Sequence, residues 1–191
     1  MVAPSDQAKR ALRAEIREQR RIVTSSERER RAHDLTAQLI HLTQALGAKS
    51  VATYLSTPDE PSTRGYIAWA HAAGLRILLP ISRADGLLDW ATYNGDEELD
   101  LLGMPMPTSE VLGPIAVNDV DLILVPAAAV DRRGMRMGWG RGYFDRTLGS
   151  MEQRPPVYAV IFDHELLDTV PSERHDETVD GVVTPSQIIR F

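Results

Sequence analysis

The sequence predicts a layered α/β protein in which helices cover a central sheet with parallel strands. Two runs, Asp121-Leu-Ile-Leu-Val-Pro126 and Val157-Tyr-Ala-Val-Ile-Phe162, are apolar without alternation, as strands buried on both faces are. Stretches with helical spacing of apolar residues alternate with the strand-like runs, which is the pattern of crossover connections. In such sheets ligands sit beyond the carboxyl ends of the strands, so the segments after the apolar runs are where chemistry is sought.

The chain has 191 residues, 43% of them hydrophobic, enough to bury one good core, and one domain over residues 1–191 is expected. It has no cysteine, which removes disulfides, a thiolate nucleophile and cysteine-type zinc sites. No apolar run approaches the roughly 20 residues that span a bilayer. The charged start lacks a signal-peptide core, so a cytoplasmic address without a membrane partner is expected. The net charge of −6 is uneven: residues 1–34 hold nine Lys or Arg against six Asp or Glu, leaving twelve against twenty-one for the rest. A basic segment on an acidic body is compatible with nucleic acid, an acidic cofactor or a solvated helix, and the acidic remainder makes nucleic acid the least attractive.

Ser5 is the expected N-cap of a first helix starting near Asp6. Ala8, Leu12 and Ile16 form one stripe along it and Lys9, Arg13, Arg17 and Arg20 another. The basic stripe is either a water-facing surface or a set of cations aimed at an anion. Ser26-x-x-Glu29 has the form of a capping box, and Leu35, Leu39, Leu42 and Leu46 follow at helical spacing with Gly47 as terminator, which predicts a core-packed second helix. Ser50–Leu55 reads as a buried strand and Ser56–Pro61 as a loop. A helix runs from Thr63 through Ala73 to Gly74, and a strand at Arg76–Leu79 is stopped by Pro80. Asp85-Gly86 and Asn94-Gly95 bracket a strand over Leu87–Tyr93, and Met104-Pro-Met-Pro107 reads as extended loop. Beyond the Asp121–Pro126 strand come a glycine-rich loop, a helix over Tyr143–Leu148, the second apolar strand, and a polar stretch from Asp163 to Asp180 broken at Pro171. Val182-Val183 and Ile188-Ile189 are expected as short closing strands.

The loop is the most informative stretch. Gly134-Met-Arg-Met-Gly-Trp-Gly-Arg-Gly-Tyr-Phe-Asp-Arg146 packs four glycines, three arginines and an aspartate into thirteen residues. Glycine leaves main-chain N–H groups open to an anion, arginine offers forked donors to phosphate oxygens, and a carboxylate can hold the magnesium that accompanies a nucleotide. It is not a Walker A sequence, because G-x-x-x-x-G-K-[ST] is absent, nor a dinucleotide fingerprint, because no G-x-G-x-x-G opens a helix. Arg136, Arg141 and Asp145 set it apart from a bare lid. As a magnesium ligand Asp145 needs partners, and Asp163, Asp168, Asp176 and Asp180 are candidates among which spacing does not choose. His33, His41, His71, His164 and His175 include no H-x-x-x-H pair, and no G-x-S-x-G elbow is present, so zinc and serine-hydrolase chemistry are set aside. His175 is singled out by its neighbour Asp176, and Glu60 by its place in a loop where an α/β fold carries ligand contacts.

Together these residues resemble the 5-formyltetrahydrofolate cyclo-ligase (5,10-methenyltetrahydrofolate synthetase) family. The resemblance covers nearly the whole chain. Its carriers are Lys9-x-x-x-Arg13, Tyr54-Leu55 with Glu60, Asp121–Pro126, Asp131-x-x-Gly134-x-Arg136-x-Gly138-x-Gly140-x-Gly142-Tyr-Phe-Asp145-Arg146, and His175-Asp176 leading to Val179-Asp180. It implies a three-layer α/β/α fold with a mostly parallel central sheet, as in sugar-phosphate isomerases and acyl-CoA transferases. It also implies conversion of 5-formyltetrahydrofolate, free or polyglutamylated, to 5,10-methenyltetrahydrofolate with ATP and Mg2+, releasing ADP and phosphate, by a monomer. In that reaction the formyl oxygen is phosphorylated and N10 of the folate attacks before phosphate leaves, so the protein mostly positions groups and neutralises charge. Carried over by position, Lys9 and Arg13 resemble ATP-phosphate contacts, and Arg136, Gly138, Trp139, Gly140, Arg141, Gly142, Tyr143 and Phe144 the nucleotide loop, of which Trp139 to Tyr143 also face the folate. Leu55 and Glu60 match folate contacts, Asp145 and Asp180 magnesium ligands, and Arg136, Arg141 and Tyr143 the catalytic set.

The chain departs from the family pattern in four places. Trp139 stands where glycine or a smaller or basic residue is common, Arg141 replaces glycine or lysine, Phe144 stands for a second tyrosine, and Pro61-Ser62 follows Glu60 where Val-Asp is common. Trp139 would either stack on the pterin or adenine or narrow the pocket. Two other readings fit the residues: a non-catalytic folate or nucleotide binder, and an isomerase or CoA transferase that needs no ATP.

Overall fold

The computed structural model describes residues 4–99, 103, 105–173 and 176–191; His175 and Met104 lie outside them. Helix α1 (Pro4–Arg21) starts ahead of the expected cap, and the Ser5 hydroxyl, inside its first turn, donates to Glu173 at 3.1 Å. Helix α2 (Ser25–Ala45) is capped by Thr24, not Ser26: Thr24 Oγ1 accepts the Glu27 N–H at 3.3 Å. Thr-Ser-Ser-Glu-Arg-Glu holds two overlapping capping frames, and the structure uses the first. Gly47 closes α2 with φ +65°, as expected.

The remaining elements are β1 (Ser50–Ala52), α3 (Arg64–Ala72), β2 (Arg76–Ser82), β3 (Leu88–Thr92), β4 (Glu97–Leu99), β5 (Pro105–Pro107), β6 (Val111–Leu112), β7 (Leu122–Pro126), β8 (Ala129–Asp131), β9 (Arg136–Met137), α4 (Tyr143–Gly149), β10 (Val157–Val160), β11 (Leu166–Leu167), β12 (Gly181–Val183) and β13 (Ile188–Arg190). The central sheet runs β13-β12-β10-β7-β1-β2-β3-β6. Its middle, β12-β10-β7-β1-β2, is parallel, while β13, β3 and β6 pair antiparallel at the two sides.

The unbroken apolar runs follow from two cores, one on each face. Val51, Ile77, Leu79 and Leu124 point to Leu35, Leu39 and Leu42 of α2 and to α3. Their neighbours Ala52, Leu78, Ile123 and Val125 point to Leu148 of α4 and Val117 of a 3₁₀ turn at Pro114–Asp119. Alternate residues thus feed different cores, so every position in the strand is apolar. A third cluster, with Ile16, Ala129, Met137 and Val170, lies under α1.

Three sequence expectations are corrected. Pro80 does not stop β2, which continues to Ser82. The Tyr93 N–H bonds Ile77 O, so the odd residues of β2 face β3, while Pro80 faces the side where β1 has already ended at Ala52 and no N–H is needed. Thr53 to Leu55, expected in the strand, therefore leave the sheet. Pro105–Pro107, expected as loop, forms β5 against β4. The small sheet β11-β8-β9 was not foreseen: Asp131 turns it, accepting the Arg133 and Met135 N–H groups at 2.9 and 3.0 Å, and Gly134 sits at φ +82°.

Candidate active site

From β1 the chain crosses to β2 on one side, while β7, on the other side of β1, leads on to β10. Strands that diverge in this way leave a crevice at their carboxyl ends. A cavity of about 600 Å³ lies there. Its walls are Tyr54, Leu55 and Glu60 from the segment after β1, Pro126 at the end of β7, and Arg136, Gly138, Trp139, Arg141, Gly142, Tyr143, Phe144 and Asp145. Most sequence-predicted site residues, drawn from segments some eighty positions apart, are thus brought together. The post-β1 wall is pinned from behind: the Thr63 hydroxyl donates to Tyr54 O at 2.5 Å, and Ser56 Oγ accepts the Thr63 N–H at 3.1 Å.

Arg136 is buried on β9, with Nη2 donating to Asp145 Oδ1 at 2.5 Å and Nη1 to Pro126 O at 3.3 Å. Its Nε has no partner among the described residues. Asp145 also accepts the Glu177 N–H at 3.3 Å. Arg141 is exposed at the mouth, and the Tyr143 hydroxyl donates to Arg83 O at 3.2 Å. Phe144 packs edge-on to Trp90 with ring centroids 6.5 Å apart. Glu60 Oε2 accepts the Thr57 N–H and hydroxyl at 2.8 and 3.0 Å.

The loop glycines make room for arginines as well as exposing backbone. A Cβ on Gly138 would stand 2.8 Å from Arg136 Nη1, and one on Gly142, at φ +69°, 2.8 Å from Arg146 Nη1. Gly140 does not line the cavity; it lies against Arg13, whose Nε donates to Gly138 O at 2.8 Å. Burial, then the positive charge of Arg17, lowers the Arg13 pKa from the ordinary arginine range.

Of the basic stripe of α1, Arg17 is exposed along the cavity, while Lys9, Arg13 and Arg20 are bonded within the protein. Lys9 is buried and bonds Glu173 and Asp176 at 3.0 and 2.7 Å. Burial works against its charge, but bonds from the two carboxylates outweigh that and hold its pKa above the ordinary lysine range. Arg17 and Arg20 lie 5.1 and 4.9 Å from the Trp139 ring centroid, so this residue of the cavity wall is held against cations of α1. Arg20 is also forked onto Glu165 at 2.7 and 2.8 Å, with both side chains buried, and bonds Ala127 O at 3.0 Å. Arg17, Arg20 and Tyr54 line the cavity but were not predicted as site residues. Their signal was in the sequence: two stood in the basic stripe and the third beside Leu55.

Asp145 lines the cavity and Asp180 does not. The Asp180 carboxylate accepts the Val157 N–H at 2.8 Å, at the amino end of β10, away from the cavity mouth. No group of three or more His, Cys, Asp or Glu that could hold a metal occurs among the described residues. Asp145 nonetheless suits magnesium that arrives with a nucleotide, since that ion keeps water and phosphate oxygens and asks the protein for one or two carboxylates.

Fold and cavity define a layered α/β protein with an arginine- and glycine-lined candidate active site. The 5-formyltetrahydrofolate cyclo-ligase family model matches residues 5–185, and the chain belongs to that family. It is 34% identical over 189 residues to the 5-formyltetrahydrofolate cyclo-ligase of Mycolicibacterium smegmatis, covering 96% of each chain. The Escherichia coli K12 protein of the same name is 29% identical over 180 residues, 91% of this chain and 98% of that one. In fold, the chain matches the 5,10-methenyltetrahydrofolate synthetase of Aquifex aeolicus with a TM-score of 0.79 at 24% identity, covering 95% and 92% of the two chains. The synthetase of Mycoplasma pneumoniae gives 0.72 at 19% identity, with 93% and 98% covered. No helix among the described residues is long and apolar enough to cross a membrane.

Proposed function

We propose that the chain, as a cytoplasmic monomer, converts 5-formyltetrahydrofolate and MgATP to 5,10-methenyltetrahydrofolate, ADP and phosphate. The observation that carries this is the convergence in one cavity of the Glu60 wall with Arg136, whose Nε is buried and unpaired. A buried guanidinium nitrogen without a partner suits an oxygen on which charge develops. The γ-phosphoryl passes to the formyl oxygen, breaking its bond to ADP. N10 then bonds the activated carbon and gives up its proton to solvent, the carbon–oxygen bond breaks, and phosphate leaves with the oxygen.

Arg136, fixed by Asp145 and Pro126 O, holds the transferring oxygens in line, and Arg141 at the mouth neutralises the rest of the phosphate chain. Tyr143 and Phe144 close the wall against water. Asp145 would hold magnesium, which when bound neutralises phosphate charge. Lys9 would meet the nucleotide by exchanging Glu173 and Asp176 for phosphate, while Arg13 braces the loop through Gly138 O. Leu55 and Glu60 bound the folate side. The test is direct: purified protein with 5-formyltetrahydrofolate and MgATP should give the near-ultraviolet absorbance of the methenyl product and release ADP in step. Absence of both signals sinks the reading, and product without ADP removes ATP from it.

A further inference from the structure

Buried polar side-chain atoms normally have partners, so exceptions call for a cause. Among the described residues the exceptions are Thr53 Oγ1, Trp90 Nε1, Tyr54 OH, Arg136 Nε and Trp139 Nε1. The last three belong to side chains that line the cavity described above. Arg136 has a use in the proposed reaction; the Tyr54 hydroxyl has none so far. Tyr54 is 5% exposed, and its backbone is fixed by the Thr63 hydroxyl, so its ring is directed rather than free. Burial first, then the negative charge of Glu60, keeps this phenol protonated well above the ordinary tyrosine range, which leaves it a donor at any working pH.

Glu60 is the electrostatic neighbour that matters. Its Oε2 is taken by Thr57, and no hydrogen bond among the described residues uses Oε1. Glu165 and Arg20, which also act on the phenol, are satisfied by each other. One wall of the cavity therefore contains a carboxylate oxygen and a buried phenolic hydroxyl that no hydrogen bond among the described residues uses. The lactam edge of a pterin carries the complement: an amino group and a ring N–H as donors beside a carbonyl acceptor. Adenine offers one amino donor beside one acceptor and would leave part of the carboxylate unused.

We propose that Tyr54 is a specificity-determining residue of the folate subsite, its hydroxyl donating to the pterin carbonyl oxygen while Glu60 accepts from the ring N–H and amino group. The inference rests on the cyclo-ligase reading above. Tyr54→Phe removes the hydroxyl and keeps the ring. Because that hydroxyl bonds nothing within the described protein, the thermal midpoint of the variant should match the parent. Its KM for 5-formyltetrahydrofolate, and its Kd measured by equilibrium dialysis without ATP, should rise roughly tenfold, the effect of one lost hydrogen bond, with the KM for ATP unchanged. A folate KM within twofold of the parent overturns the proposal, and a rise in the ATP KM instead assigns the wall to adenine. A lowered thermal midpoint with both KM values raised alike shows a structural hydroxyl and overturns it too. If the parent protein forms no methenyl product, the reaction itself is refuted, which is a different outcome from a parent that turns over and a variant that binds folate equally well.

Discussion

Arg136 holds two of its nitrogens in bonds, Nη1 to Pro126 O and Nη2 to Asp145, and its buried Nε has no partner among the described residues. Arg136→Ala removes the donor and the clamp together. The loss of one aligned donor to a developing oxyanion costs ~3 to 4 kcal/mol, so steady-state turnover should fall by about two orders of magnitude or more. Arg136→Lys should rescue little, because a point charge cannot hold three directions at once. A different single residue, Asp131, sets the acid limit of the hairpin below the loop. Burial opposes its charge, but the Arg133 and Met135 N–H groups outweigh burial and lower its pKa. A depressed carboxylate contributes stability above its unfolded pKa and loses it as pH falls through the folded value. Denaturant midpoints should therefore decline on acidification below about pH 4. Asp131→Asn should cost about 1 kcal/mol at neutral pH and show a flatter acid limb.

At the scale of elements, α1 is a clasp that joins the small sheet, the loop and the tail. Its strongest point is Arg20 forked onto Glu165, with both side chains essentially out of water. Breaking a buried pair from one side strands a charge, so Glu165→Ala should destabilise by about 3 to 5 kcal/mol, read as a lowered thermal midpoint. Glu165 also accepts the Phe162 N–H at 2.8 Å, so the loss would reach the end of β10. The helices and central strands were legible because each is decided locally, by leucine spacing in α2 or by apolar runs in β7 and β10. The α1 stripe was legible as a stripe but not as a clasp, since the partners of Lys9 and Arg20 lie 164 and 145 residues away. β8 and β9 were missed because they are three and two residues long, too short for any period to show. Asp180 was carried over by position in a motif, and only the pairing of β12 with β10 revealed the Val157 N–H that it accepts. The cations that flank Trp139 come from a helix more than a hundred residues earlier, out of reach of any local pattern.

At the scale of the whole molecule, the cavity depends on β1 being only three residues long: the sheet parts after Ala52, and Pro80 borders the gap without needing a bond across it. The clasp has a consequence in time. Helix α1 is synthesised before every segment it docks on, and its anchors at Gly138, Glu165 and Glu173 emerge from a ribosome long after it. Contacts of such sequence separation form late, because the closure entropy of the intervening chain must be met first. Pulse-labelled hydrogen exchange during refolding should show α1 amides gaining protection no earlier than those of β8 and β9. Full protection of α1 ahead of that hairpin would contradict this order. A nascent chain stalled before residue 165 would then carry its central strands and an incompletely docked basic helix, the part of the polypeptide most open to proteases and chaperones until about the last seventh of the sequence arrives.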